Sequence, residues 1–272
     1  MKTILVPTDF SNAASNAANY AAHMALALNA DILLLHIYQT PVVYLEVPLA
    51  VSESHIFPDI EKQIIKLKEE LTRKTGGKIT IETEIRAGIF FPELEKICEI
   101  IKPYMVVIGS QGKTAAERLF FGAHAVYAMQ HLTWPLVTVP SGIRFSSVKK
   151  IGLACDLDRV VDTIPVDEIK MLTNDFNAEL HILNTGQHEV FNPAIVYESG
   201  LLGELMLPLK CHYHFIIHEN TDEGIIEFAV NNQIDLLIVL PKPHSFLNRL
   251  IHKSHTRQLV LHSNVPVMAL HL

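Results

Sequence analysis

Ile108-Gly-Ser-Gln-Gly-Lys-Thr-Ala-Ala-Glu-Arg-Leu-Phe-Phe-Gly-Ala-His-Ala125 is the stretch on which the reading of this 272-residue chain turns. It follows Met105-Val106-Val107-Ile108, an apolar run too short for a helix and rich in β-branched residues. A helical pattern comes after it, so it reads as a strand-to-loop-to-helix junction. Glycines at 109, 112 and 122 let backbone amides approach a ligand where a Cβ would intrude. Gly122 also opens the helix, where free N–H groups and the positive end of the dipole favour phosphate. The junction is expected to be a phosphate cradle.

Working outward, Thr3 to Thr8 reads as a buried strand, followed by Ser11-Asn12, which can cap a helix over Ala13 to Asn29. Asp31 to Ile37 is a second strand. Tyr38 to Phe57, with prolines at 41, 48 and 58, reads as a long irregular connection. Ile60, Ile64, Leu67 and Leu71 mark an amphipathic helix over Asp59 to Lys74, which Gly76-Gly77 end. Then come a strand over Lys78 to Ile85, a helix over Phe91 to Ile101, the strand that feeds the cradle, a helix over Ala123 to Leu132 and a last strand over Leu136 to Val139. Strands alternating with helices imply a parallel sheet built from right-handed crossovers.

Pro140 to Ser147 is a turn-rich linker, and after it the order repeats. Lys150 to Asp156 copies the first strand and its terminal aspartate, Ala178 to Leu183 mirrors Ala30 to Leu35, and Asp235 to Val239 mirrors Tyr104 to Ile108. Arg118-Leu119-Phe120 and Trp134-Pro135-Leu136-Val137 match Arg249-Leu250-Ile251 and Val265-Pro266-Val267-Met268 at one constant offset of 131. The chain is a duplication, residues 1–146 and 147–272. Each half is long enough to bury its own core. The halves differ in charge: 13 basic and 14 acidic residues in the first (net −1), 9 and 15 in the second (net −6).

Hydrophobic content of 49% with 19% charged residues argues for a well-buried α/β protein. A net charge of −7 supplies no global field for nucleic acid or acidic membranes, so neither is an expected partner. Cys98, Cys155 and Cys211 are odd in number, widely spaced and without a CxxC, against a disulfide framework. The N-terminus gives no signal pattern, and nothing approaches the roughly 18 consecutive apolar residues of a membrane span. A reduced cytoplasm is the expected location.

Val6-Pro7-Thr8-Asp9-Phe10-Ser11 at the first strand end, joined to Gly-x2-Gly-x9-Gly after the fourth strand, resembles the universal stress protein family. The second half resembles it too, through Asp156, Pro266 and the last strand. The resemblance implies two tandem five-stranded parallel-sheet domains with helices on both faces, the adenine nucleotide alpha hydrolase-like, doubly wound α/β class. In many members ATP, with Mg2+, binds at the carboxyl ends of the strands, in agreement with the switch-point rule. Carried over, Asp9, beside Pro7, would lie near ribose and adenine, and Ile37 would contact adenine through its backbone. Ile108, Gly109, Gln111 and Gly112 would form the first part of the loop, with Gly122, Ala123, His124 and Ala125 around the phosphates. Two positions depart from the family's pattern, which has Ser or Thr where Ala123 stands and often a hydroxyl where Ala125 stands. Each lost hydroxyl bond to a charged phosphate costs about 1.5 to 3 kcal/mol, so a weakened ATP site is expected. In the second half the loop reads Leu240-Pro241-Lys242-Pro243 with Lys253 at the third glycine position. Prolines remove amide donors, and no ordinary nucleotide site is expected there despite Ser254 and Thr256.

Simpler readings stand beside these. Asp9 and Asp156 are ligand carboxylates or helix caps, and His124 is a phosphate contact or an exposed side chain. Gly112-Lys113-Thr114 lacks the earlier glycine of a Walker loop, Val107 standing there. His212 with His214, and His252 with His255, are weak metal candidates without a sequence-local third ligand, and are better read as surface or edge-strand residues. No GxSxG, HExxH or paired-carboxylate spacing marks an enzyme. The expected function is that of a stress-response binding protein with an adenine nucleotide site in the first domain. The alternatives are a nucleotide-independent scaffold in which the two domains form a pseudo-dimer, and a weak ATPase. The final strands, Leu136 to Val139 and Val267 to Leu270, are edges unless paired, and edges invite pairing. The resemblance implies that such strands commonly pair between domains, so the halves are expected to dock, and copies of the chain to associate, through them.

Overall fold

A computed structural model of the chain describes residues 2–39, 53–110, 125–185, 192–241 and 255–271. In chain order the first half contains β1 (Thr3–Pro7), α1 (Asn12–Leu28), β2 (Asp31–Tyr38), α2 (Glu53–Thr75), β3 (Ile81–Ala87), α3 (Phe90–Ile101), β4 (Met105–Gly109), α4 (described over 125–131) and β5 (Leu136–Val139). The second half contains β6 (Lys150–Ala154), α5 (Val160–Thr163), α6 (Val166–Phe176), β7 (Glu179–Thr185), α7 (Pro193–Met206), β8 (Cys211–Ile216), α8 (Thr221–Asn231), β9 (Leu236–Val239), α9 (His255–His262) and β10 (Val267–Ala269).

The ten strands among the described residues form one sheet, in the order β3-β2-β1-β4-β5-β10-β9-β6-β7-β8. Each half is a five-stranded parallel sheet of the expected doubly wound class. The duplication extends to individual bonds. Val106 N donates to Pro135 O at 2.8 Å and Leu237 N to Pro266 O at 2.9 Å, both partners displaced by the offset of 131 seen in the sequence. The halves join where β5 and β10 pair antiparallel, Val137 opposite Met268 and Thr138 opposite Val267. Thr138 Oγ1 adds a bond to Val267 O at 3.2 Å. Pairing removes both exposed edges at the seam and leaves β3 and β8 as the outer strands.

The core divides by sheet face. Alternate residues of β1 point to opposite sides, so Ile4 and Val6 enter one layer and Leu5 the other. α1, α2, α6 and α7 cover the first layer, through Ala17, Ile64, Ile169 and Leu202 among others. α3, α4, α8 and α9 cover the second, through Leu94, Ala128, Ile225 and Leu259. Both layers draw residues from both halves, so the packing is continuous across the seam.

Local chemistry sets the element ends. Ser11 Oγ accepts from Ala14 N at 3.1 Å to cap α1, whose alanines let the helix approach the sheet, and Asn29 in the left-handed region ends it. α2 begins at Glu53, earlier than the sequence pattern placed it, and Pro58 lies inside the helix, where it removes one N–H near the N-terminus. Residues 53–57 are therefore helical, a correction to the irregular connection expected over Tyr38 to Phe57, of which 40–52 lie outside the described residues. Where the first half has α1, the second has two helices among the described residues, Pro165 dividing that segment into α5 and α6.

Candidate functional site

The helices that follow β1 and β4 lie on opposite faces, α1 against one layer and α4 against the other. The chain therefore leaves these two neighbouring strands in opposite directions, which opens a crevice at their carboxyl ends, the switch point of the fold.

On the β1 side Pro7 ends the strand, buried and paired with Leu35, and Thr8 N donates to Leu35 O at 2.8 Å. The next residues form a tight turn. Thr8 Oγ1 accepts from Phe10 N at 3.1 Å, and Asp9 Oδ1 accepts from Ser11 N at 3.0 Å. Asp9 is exposed, so its second carboxylate oxygen stays available at the crevice while the first fixes the turn. Phe10 has φ +63°, a left-handed conformation that a bulky residue holds only when its surroundings fix it. His36 supplies part of that fixing. Its Nδ1–H donates to Thr8 O at 2.8 Å, and its ring stacks on Phe10 with centroids 4.6 Å apart. Ile37, the next residue of β2, is half-buried against the second core layer.

On the β4 side Ile108 is buried, and Gly109 has a packing reason to be glycine: a Cβ there would stand 2.7 Å from Ala13 O at the start of α1. Ser110 N donates to Val139 O at 3.1 Å, and the fully buried Ser110 Oγ has no partner among the described residues. Ala125 is buried in the same layer as Ile108 and Leu5, its methyl group turned into the core. Gln111, Gly112, Gly122, Ala123 and His124 lie outside the described residues.

The second half repeats the turn with other atoms. Cys155 N donates to Leu183 O at 3.0 Å, Cys155 Sγ accepts from Leu157 N at 3.2 Å, and Leu157 has φ +51°. Asn184 Nδ2 donates to Cys155 O at 2.8 Å, as His36 does to Thr8 O. Asp156 is exposed like Asp9. Burial pushes the Cys98 thiol up to about 12 and raises Cys211 as well, so neither is a reactive thiolate near neutral pH.

Among the metal candidates, His212 and His214 sit on β8 with His181 of β7 beside them. The rings stack nearly parallel, at 24° and 15° to His181. Among the described residues no group of three or more His, Cys, Asp or Glu is placed to hold a metal ion. His252 and the side chain of His255 lie outside them. Sequence reasoning missed His36 and His181. The available signal for His36 was a polar residue at the same late strand position in both copies, Leu35-His36-Ile37 and Leu183-Asn184-Thr185.

A model of the universal stress protein family matches residues 1–140 and 207–271. A universal stress protein of Methanocaldococcus jannaschii is 26% identical over 141 residues, 51% of this chain and 81% of that protein. One of Synechocystis sp. is 21% identical over 294 residues, 98% of this chain and 99% of its own. The crystal structure of a universal stress protein from Archaeoglobus fulgidus superposes with a TM-score of 0.72 at 15% identity, covering 99% of this chain and 96% of that one, a likeness of fold. No helix among the described residues is long and apolar enough to cross a membrane.

Proposed function

The chain belongs to the universal stress protein family, and from that premise we propose that its first half binds an adenine nucleotide, ATP with Mg2+, in the crevice between β1 and β4. The second half serves structure or regulation, and the location is the cytoplasm. The observation that carries this reading is the switch point between β1 and β4, with the exposed Asp9 on one side and the start of the glycine-rich segment at Gly109 and Ser110 on the other. Asp9, held through Ser11 N, keeps one oxygen for a ribose hydroxyl. The backbone of Ile37 would meet the base, and the loop from Gln111 to His124 the phosphates. Mg2+ would neutralise phosphate charge, and no described residue is assigned to ligate it. Binding stabilises the surface beside Asp9 and needs no bond to break, which makes this a ligand-responsive binding protein with at most slow ATP hydrolysis.

Isothermal titration of the purified chain with ATP and Mg2+ tests the reading. A saturable heat that is lost in Gly112→Val, which places a side chain where phosphate would lie, supports it. No heat and no thermal shift at millimolar nucleotide would sink it. A second reading, a nucleotide-independent scaffold, is favoured by the β5–β10 seam, which builds a pseudo-dimer into one chain. Association of whole copies is then measured by sedimentation with and without nucleotide.

A further inference from the structure

Three histidines of the second half meet on one face of the sheet, away from the crevice. Register brings them together: His181 on β7 lies opposite His212 on β8, and Leu183 opposite His214. His181 Nδ1 and His214 Nε2 are 2.9 Å apart. The His181 ring stacks on His212 and His214 with centroids 5.0 and 5.2 Å away. His181 is only 8% exposed, and its Nε2 lacks a hydrogen-bond partner among the described residues, the Glu179 carboxylate standing 3.5 Å off. α8 closes the cluster, Phe228 lying 4.6 Å from the His214 ring. Among the described residues β8 is an outer strand of the sheet, paired with β7 only.

We propose that this cluster is an acid-sensitive latch, which holds β8 and α8 in place at neutral pH and releases them as it takes up protons. A bond between two imidazoles needs one N–H and one lone pair. The carboxylate of Glu179 favours a proton on His181 Nε2, which leaves Nδ1 as the acceptor and His214 as the donor. One added proton on His214 Nδ1 leaves that bond intact. A further proton on His181 removes the acceptor and sets two cations edge to edge, His181 buried and His214 half-buried.

The charges around the cluster act in known directions. From β6, Lys150 opposes proton uptake by His181, as does His212 from β8, while Glu179 on β7 itself favours it. His214 feels the same opposition from His181 and His212. α8 presents the uncharged Phe228 to His214, and its Glu227 lies towards His218 instead, 3.9 Å away. Burial first, and the neighbouring imidazoles second, hold His181 and His214 below the usual histidine range. The opened state therefore binds more protons below the ordinary histidine value of about 6.5, and the closed edge loses stability as pH falls through that region. Above it the latch is fully closed.

The test is hydrogen exchange on the whole chain at pH 7.5 and 5.5, corrected for intrinsic exchange, with β1 and β2 as internal reference. At pH 5.5, protection of β8 and α8 is expected to fall about tenfold or more relative to that reference, since one proton taken up per pH unit is a tenfold change. His181→Gln, which can still bond His214 but cannot titrate, is expected to lose most of this dependence. Should that variant fail to fold, imidazole titration of the unaltered chain by NMR decides, with His181 and His214 expected to titrate below 6.5. Unchanged protection, an equal loss in His181→Gln, or titration of both rings at or above 6.5 would overturn the proposal.

Discussion

The turn after β1 and the turn after β6 share one backbone path and almost no side-chain chemistry. Thr8 Oγ1 does in the first what Cys155 Sγ does in the second, and His36 has Asn184 as its counterpart. Both copies keep a bulky residue in the left-handed region, Phe10 and Leu157. The second half keeps this strain although its loop reads Leu240-Pro241-Lys242-Pro243. Strain at the strand end is thus a requirement of the fold and no mark of a ligand. What separates the halves is the next strand end. Gly109 and Ser110 of the first correspond, at the offset of 131, to Leu240 and Pro241 of the second. Ser110 N reaches Val139 O, a bond that Pro241 has no N–H to make.

The largest expected effect comes from breaking what makes the comparison possible, the common sheet. Val137 is fully buried opposite Met268, and Val137→Asp would set an unpaired carboxylate in the seam. A loss of about 4 kcal/mol or more in urea unfolding is expected, enough to abolish cooperative folding of the joined halves. A loss below about 1 kcal/mol would show that the seam does not hold them. Gly109→Ala comes next. Its Cβ would press on Ala13 O, a backbone atom that cannot swing away. The expected cost is about 1 to 3 kcal/mol, measured as a lowered Tm. An unchanged Tm would mean that α1 shifts freely and that Gly109 is kept for the ligand alone. The smallest effect sharpens the likeness of the turns. His36→Leu should cost about 1 kcal/mol through the lost bond to Thr8 O, whereas His36→Asn, the residue the second half already uses, should restore most of it. Equal losses in both variants would assign the role of His36 to its stacking on Phe10.

The duplicated order was legible because Pro135 and Pro266, and the strands beside them, repeat at a fixed spacing that survives in the hydrogen bonds themselves. Strand and helix types followed from hydrophobic periodicity, and the seam from two short apolar edges together with the pairing that the family resemblance implied. Pro58 misled because a proline near a helix start looks the same in sequence whether it precedes the helix or stands inside its early turns. The reason for Gly109 was hidden for a different cause: the atom it must avoid belongs to Ala13, brought there by a crossover and not by proximity in the chain. His181 meets His214 across 33 positions, and only the register of β7 with β8 makes them neighbours. Local pattern speaks for elements, and pairings between elements fix which side chains share a site.

The antiparallel pairing at the centre of the sheet has a further consequence. Within each half the strands run one way, and across the seam they run the other. The two halves are therefore related by an approximate two-fold axis, and the crevice beside Asp9 and the turn at Asp156 open on opposite rims of the molecule. A partner that reads the state of one rim sees nothing of the other directly, so the chain is two-headed: news of a ligand at one end crosses to the other through the three residue pairs of β5 and β10, the core layers beside them, and polar contacts between the halves such as Tyr104 with Asp175 and His271 with Met129 O.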